Sequence, residues 1–409
     1  MNKTTLKKYA KLIVRIGANV QKGQEVIVSS SVENAYFVKY VVEEAYKAKA
    51  KSVHVEWSCQ DITKLGFIYQ SEKTLCELPQ WQIKKQEHQV DILPAMIHIM
   101  SDDPDGLKGI DQSKVVARQR AIGPIMMKYR EQMDNKYQWT IVGIPGEKWA
   151  KKIFPNLSKN KAIDALWDAI LKVTRVNGDP IKNWQEHNQN LTTKSNKLND
   201  LHIKTLTYKS SNGTDFTIGL KECMRFEAGG AYTLFGVYYN PNMPTEECFT
   251  SPDRTTCNGI VMATKPLSVR GVLVENFGFK FESGKVVEVI AQNEEHKSVL
   301  EHLIATDEGA CQLGEVALVP FDSPINQTGL LFYNTLYDEN ACCHLALGRA
   351  FNECILGYNK MSEEEIKAVD LNNSMIHVDF MIGSSDLSIV AETYDGQVVQ
   401  IFKDGTWAI

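Results

Sequence analysis

A chain of 409 residues with 43% hydrophobic content can bury a large core and is long enough for two domains. Its formal charge of -5 and pI near 6.0, with basic and acidic residues mixed throughout, give no electrostatic footing for a nucleic-acid partner. No apolar run reaches the roughly 18 residues that span a bilayer. The start, MNKTTLKKYAKLIVRIG, also lacks the apolar core and small-residue cleavage site of a secretory signal, so the expected location is cytoplasmic with no membrane partner. Nine cysteines without regular spacing suit reduced thiols better than a disulfide framework.

In chain order, Leu6 to Gly17 reads as a short amphipathic helix, and Gly23 turns the chain into a strand at Glu25 to Ser29. Helical spacing over Asn34 to Ala48 and a strand at Ser52 to Trp57 complete one strand, helix, strand unit. Further strands are expected at Val90 to Met100 and Gln138 to Gly143, separated by a long helix over Ser113 to Asp134. This pattern predicts an open parallel-sheet α/β domain. A dinucleotide site does not fit it. The segment SSVENAY after the first strand has no glycine for close approach of a pyrophosphate, and Asp102, Asp103 and Asp105 would repel a phosphate near Gly106 and Gly109.

From Asn156 to Asn199 the pattern is helical, interrupted by NGDP and followed by the polar run EHNQNLTTKSNKLND, which places a boundary near residue 195. The expected division is 1–195, an N-terminal α/β domain, and 196–409, a strand-rich α+β metal-binding domain. In the second part, strands are expected at Leu201 to Lys209, Asp215 to Leu220, Gly271 to Val274, Lys285 to Ala291 and Gly314 to Val319. Helices are expected at Glu294 to Ile304 and Asn340 to Asn352, and another begins at Ser362, where Ser362 and Glu365 have capping-box spacing. A loop from Asp370 then delivers the stretch MIHVDFMIGSSD.

That stretch holds the clearest chemistry. Period-two alternation puts Ile376, Val378 and Phe380 on one face of a strand and His377 and Asp379 on the other. Imidazole and carboxylate are the usual nitrogen and oxygen ligands of a divalent metal, and His344 lies nearby in sequence with Asp338 and Glu339 beside it. Glu246 and Glu247 sit in the proline-bounded loop NPNMPTEECFTSPD, and Glu315 begins an apolar strand next to Gly314. One glutamate of that loop, Glu315 and Asp379, with His344 and His377, give three carboxylates and two imidazoles, the inventory of a two-metal hydrolytic centre; a closed structural zinc site would favour cysteines. The competing reading is that these groups are the wet face of an edge strand and solvated surface glutamates.

The stretches NMPTEECFTSP, LGEVALV, DENACCHLALGRAF and HVDFMIGSSDL, supported by GTDFTIGL at Gly213 to Leu220, resemble the M29 family of metal-dependent aminopeptidases, the aminopeptidase T and aminopeptidase S type. The resemblance covers the whole chain. It implies an N-terminal α/β domain, a C-terminal domain with two divalent metal ions (zinc, cobalt or manganese), peptides with a free N-terminus as substrates, and a homodimer. Carried over by motif, the metal ligands are Glu247, Glu315, His344, His377 and Asp379, with Glu246 the adjacent alternative to Glu247. In the working chemistry, two metals roughly 3.5 to 4 Å apart activate a water and polarise the scissile carbonyl. Glu315 bridges them, and Glu246 or Glu247 accepts the water's proton.

One position departs from the family pattern. The motif HxALGxAY ends in a tyrosine thought to reach the metal centre, and here that position is Phe351, which has no hydroxyl. Tyr358 or Tyr333 is the available substitute. The departure keeps a non-catalytic homodimeric binding or structural protein as the alternative. A cysteine hydrolase built on Cys342 or Cys343 is disfavoured because neighbours of His344 on a helix do not share its face.

Overall fold

Apolar strand cores separated by helix-length polar segments demand crossovers, and the first unit has them. The structure, a computed structural model, describes residues 1–269 and 272–409. The chain divides into two compact units, one of residues 1–185 and 230–244 and the other of 186–229 and 245–409. In the first, Glu25–Ser31 pairs in parallel with Ser52–Ser58 on one side and Ala95–Met100 on the other; Trp139–Gly143 and the short Asn242–Met243 extend the sheet, again in parallel. Tyr9, Phe37 and Trp167, from the helices Lys3–Leu12, Ala35–Lys47 and Lys159–Val173, meet with ring centroids 5.6 to 6.2 Å apart. The expected strand at Val90 to Met100 starts later. Val90 to Ile92 close the helix Gln80–Ile92, Leu93 takes a left-handed φ of 45°, and the strand begins at Ala95.

The boundary expected at residue 195 is corrected. Pro180–Asp200 is one helix, and the division between the units falls within it, at Gln185 and Glu186. The polar run is not a linker: Leu191 and Leu198, seven residues or two helical turns apart, are buried in the core of the second unit. A stripe so narrow in an otherwise polar segment reads as solvated when only composition is weighed. Residues 230–244 return to the first unit, which a single cut cannot express.

The second unit is built on two antiparallel sheets. One has eight strands, in the order Lys285–Ile290, Gly278–Glu282, Asn258–Met262, Asp215–Gly219, Ile203–Lys209, Ser388–Thr393, Val398–Lys403 and Thr406–Trp407. The other has five, in the order His377–Met381, His344–Gly348, Leu313–Leu318, Cys248–Thr250 and Glu227–Ala228. Phe279 of the larger sheet meets Phe380 of the smaller at 5.2 Å in a core that includes Val316, Leu318, Leu345 and Leu347. The helix Glu294–Ile304 and the capping box of Ser362 and Glu365 are as expected. Of the strand expected at Gly271 to Val274, Val272–Val274 is present, and Gly271 lies outside the described residues.

The helix expected over Asn340 to Asn352 is not formed. His344–Gly348 is a strand, between short 3-10 turns at Glu339–Ala341 and Asn352–Cys354. All five strand residues are buried, so the two-residue alternation of leucine with His344, Ala346 and Gly348 is not marked by any polar face exposed to water. Phe351 therefore does not stand two helical turns above His344.

Candidate metal centre

Three strands of the smaller sheet, His377–Met381, His344–Gly348 and Leu313–Leu318, each have an apolar face and a face that carries candidate ligands. On His344–Gly348, Leu345 and Leu347 join the core, while His344, Ala346 and Gly348 point the other way. On His377–Met381, Phe380 enters the core and Val378 packs against it, leaving His377, Asp379 and Met381 on the opposite face. Cross-strand register aligns Asp379 with Ala346 and Ala346 with Glu315, so a methyl group is all that separates two carboxylates two strands apart. Gly348 opposes His377 and Ala317 opposes His344. Small residues thus form the floor on which long polar ones converge.

Glu315 reaches this face because of an irregularity. Leu313 pairs with Leu347 but Glu315 pairs with Ala346, so two steps on one strand match one step on its neighbour, with Gly314 the extra residue of a β-bulge. A side chain at Gly314 would meet the carbonyl oxygens of Gly348 and Arg349 at 2.3 Å, which only glycine avoids. Without the bulge Glu315 would share the core face with Leu313.

Two groups of donors result, each with its ligand atoms within 4.8 Å of one another: Glu247, Glu315 and His344, and Glu315, His377 and Asp379. His344 Nε2 lies 3.4 Å from Glu247, and His377 Nε2 lies 3.1 Å from Glu315 and 3.3 Å from Asp379. The other ring nitrogens face backbone: Nδ1 of His377 is 2.8 Å from the Arg349 carbonyl and Nδ1 of His344 is 3.4 Å from that of Cys342. A carbonyl only accepts, so Nδ1 carries the proton in both rings, and in the neutral tautomer each Nε2 turns a lone pair toward the carboxylates. That is the ligand form of histidine.

Glu246 and Glu247 separate here. Adjacent residues of an extended chain point apart, and the Glu246 carboxylate lies 3.9 Å from His187 of the helix Pro180–Asp200 while its backbone N–H donates to Asn340. Glu247 faces His344 and accepts from the Thr245 hydroxyl at 3.4 Å. Glu246, expected as a proton acceptor, belongs to neither donor group. Glu339, noted in the sequence only as an acidic neighbour of His344, does reach the centre. Burial holds its carboxyl well above the usual carboxylate range, with Asp379, Glu247 and Glu315 adding repulsion. Its signal in the sequence was adjacency alone.

The electrostatics call for cations. Among the described residues no lysine or arginine forms an ion pair with Glu247, Glu315, Glu339 or Asp379. Burial pushes Glu247 up to about 7, offset by His344 and reinforced by Glu315 and Asp379. Burial also opposes the charge of His377, but Asp379 and Glu315 outweigh it and hold the imidazolium well above its ordinary range. Asp379 is pulled below its ordinary value despite its burial, by His377 first and then His344. Buried carboxylates this close cannot all ionise unless positive charge joins them, and an oxygen-rich set with two imidazoles suits a divalent metal.

Phe351 packs its ring 4.9 Å from that of His377 and 5.5 Å from that of Phe249. Tyr333 lines a cavity with Glu339 and Asp379, whereas Tyr358 starts a 3-10 turn and is not among its walls. Cys342 and Cys343 are buried, and burial pushes both thiols above their ordinary range, which leaves them inert.

The description "Thermophilic metalloprotease (M29)" belongs to the family that matches residues 2–407. Over 405 residues the chain is 44% identical to aminopeptidase AmpS of Bacillus subtilis (strain 168), covering 98% of each protein. It is 39% identical to aminopeptidase 2 of Geobacillus stearothermophilus, covering 98% of this chain and 97% of that relative. The solved structure of wild-type AmpT from Thermus thermophilus matches with a TM-score of 0.91 and 36% identity, covering 100% of both chains.

The proton inventory gives a pH signature. Without metal, Glu247 keeps a proton between its ordinary 4.5 and about 7, and His377 keeps one above its ordinary 6.5. The folded state then binds more protons than the unfolded, so these groups make the metal-free protein less stable as pH rises from about 5 to 8, Glu247 by at most about 3 kcal/mol. Zinc binding should expel protons, seen as a calorimetric enthalpy that varies with the buffer's ionisation heat near pH 6.5. Glu247→Gln should flatten its share of the stability profile. Metal-free stability that rises over this range, with buffer-independent binding heat, would reject the proton inventory.

Proposed function

Because the chain belongs to the M29 family of metalloproteases, whose relatives above are aminopeptidases, we propose that it releases the first residue of peptides with a free N-terminus by means of two divalent cations. Glu247, Glu315 and His344 would hold one, and Glu315, His377 and Asp379 the other. The observation that carries this reading is the membership of Glu315 in both donor groups, which supports a bridging carboxylate. Bound there, zinc, cobalt or manganese would supply Lewis-acid chemistry, acidifying a water and polarising the scissile carbonyl.

The chain's own groups do the remainder. The carbonyls of Arg349 and Cys342 fix the two imidazoles, and the Thr245 hydroxyl orients Glu247. Glu339 stands outside both donor groups yet lines the cavity with Asp379, which suits it to take the proton of the attacking water and return it to the leaving amine. Glu246 is the weaker candidate for that role because its carboxylate faces His187. Tyr333 is the nearer candidate for the hydroxyl that Phe351 lacks.

The same reading takes the protein as a cytosolic homodimer. Nine free thiols suit a reducing compartment. The helix Gln60–Tyr69 has no buried residue and exposes Ile62, Leu65, Ile68 and Tyr69, an apolar surface suited to a second copy.

Hydrolysis of an unblocked dipeptide should cease with a chelator, return with added metal, and vanish when the substrate's amine is acetylated. Equal cleavage of blocked and free substrates would remove the aminopeptidase assignment. Glu339→Gln should lower kcat by about 10² to 10⁴ with metal content unchanged, while Glu246→Gln keeps most of the activity. The reverse ranking would return the proton to Glu246. Light scattering at micromolar concentration should give twice the chain mass; a monomer would exclude the dimer.

A further inference from the structure

Resting on the two-cation reading, we infer that Asn372 is a positioning residue for the centre: from outside both donor groups, its buried amide holds the backbone that aims His377 and Glu315. Asn372 belongs to the loop that enters the strand His377–Met381 and is 4% exposed, so its amide has no bulk water to turn to. Its Nδ2 lies 2.6 Å from the carbonyl oxygen of Gly348, 2.9 Å from that of Gly309 and 3.2 Å from that of Gln312. All three neighbours only accept, so the nitrogen of the amide must face them, and its two N–H groups are shared among them. Gly348 ends the strand of His344, Gln312 precedes the strand of Glu315, and Gly309 lies in the 3-10 turn Glu308–Cys311. One planar group thus joins the strands that supply His344 and Glu315 to the loop that supplies His377.

Two routes lead from that amide to the ligands. The first runs through the turn after Gly348, where the Ala350 N–H donates to the Asn372 carbonyl at 2.9 Å and the Arg349 N–H to the Ile376 carbonyl at 2.8 Å. With the Gly348 contact, residues 348–350 are stitched to 372–376 at every step. The Arg349 carbonyl, held between these bonds, is the acceptor 2.8 Å from His377 Nδ1, so the imidazole is aimed by a group that Asn372 keeps in place. The second route runs through the bulge. The Gly348 carbonyl is also one of the two that a side chain at Gly314 would strike, and the Gln312 carbonyl takes the Gly348 N–H at 2.8 Å. The amide therefore fixes the backbone against which Glu315 turns to the ligand face. Without it these buried carbonyls are short of a donor, and the segments must shift to find another. Asp307 gives the contrast. Its carboxylate accepts from the Ser374 hydroxyl at 2.8 Å and the Met375 N–H at 2.7 Å, tying the same loop without reaching the strand carbonyls.

The test compares the native protein with Asn372→Leu, Asn372→Ser and Asp307→Ala. Zinc titration by calorimetry counts the sites and gives their dissociation constants, and the absorption of the cobalt-loaded protein reports coordination geometry. In the metal-free protein, NMR of isotope-labelled histidine follows the His377 Nδ1 proton, assigned by its disappearance in His377→Gln. Both Asn372 variants should weaken zinc by about 10- to 100-fold, alter the cobalt spectrum, and broaden the His377 proton through faster exchange. Asp307→Ala should lower the melting temperature and leave those three readings near native. Native affinity, spectrum and His377 proton in the Asn372 variants would overturn the inference. So would an equal loss in Asp307→Ala, or failure of both Asn372 variants to fold, since either marks the amide as support for the fold alone. If the native protein takes up no second zinc, the two-cation reading fails instead. The His377 proton then decides the positioning role: broadened only in the Asn372 variants it supports the role, and unchanged it rejects it.

Discussion

Like charge is the constraint around which the second unit is arranged. Glu247, Glu315, Glu339 and Asp379 approach one another where water cannot screen them, and an unpaired buried charge costs several kcal/mol even after relaxation. The centre tolerates them in three ways. Histidines 377 and 344 lie against the carboxylates, protons are retained on Glu247 and Glu339, and the donor atoms are close enough to share cations. The first two serve until the third replaces them, which makes metal loading and proton release one event.

Precision in such a site comes from the side of the sheet that does no chemistry. Val316, Leu318, Leu345, Leu347 and Phe380 are fully packed in the core, so the strands that aim Glu315, His344 and Asp379 have little freedom to shift. The ligand face then uses the smallest residues between its polar ones, since a larger residue at Ala346 would fill the space between Asp379 and Glu315. Aromatic packing steadies the outer edge, where Phe351 and Phe249 support the ring of His377. Here Phe351 holds the imidazole by ring contact alone.

What the sequence made legible follows from which signals are local. The alternation of His377 and Asp379 with Val378 and Phe380 needed only the geometry of one strand, and the face assignment stands. The parallel order of Glu25–Ser31 and Ser52–Ser58 followed from the helix between them, and the capping box at Ser362 from two residues. The strand at His344 was hidden because both of its faces are buried, so leucines at every second position looked like part of a helical stripe. The division at Gln185 and Glu186 is not legible in the sequence because Leu191 and Leu198 are few among many polar residues, although two such residues a heptad apart are enough to seat a helix. Glu339 went unassigned because nothing local shows that a turn before the His344 strand curls back to the His377 strand. Glu246 and Glu247 could not be told apart until partners on opposite sides were known.

The bulge at Gly314 has a consequence for how such a centre can be lost. A strand has two faces, and which one a residue occupies is a question of odd or even count. The extra residue at Gly314 changes that parity for Glu315 while Val316, Leu318 and their partners Leu345 and Cys248 remain in register. Replacing Gly314 by a residue that cannot take the bulge would keep every chemical group of the site in the sequence and would leave the hydrophobic pattern of the neighbouring strands readable as before. It would nevertheless turn the shared carboxylate into the core or drag the strand out of register. The meeting of the two donor groups therefore hangs on a residue with no side chain, and a descendant could retain every candidate ligand in its sequence while Glu315 no longer joins the others.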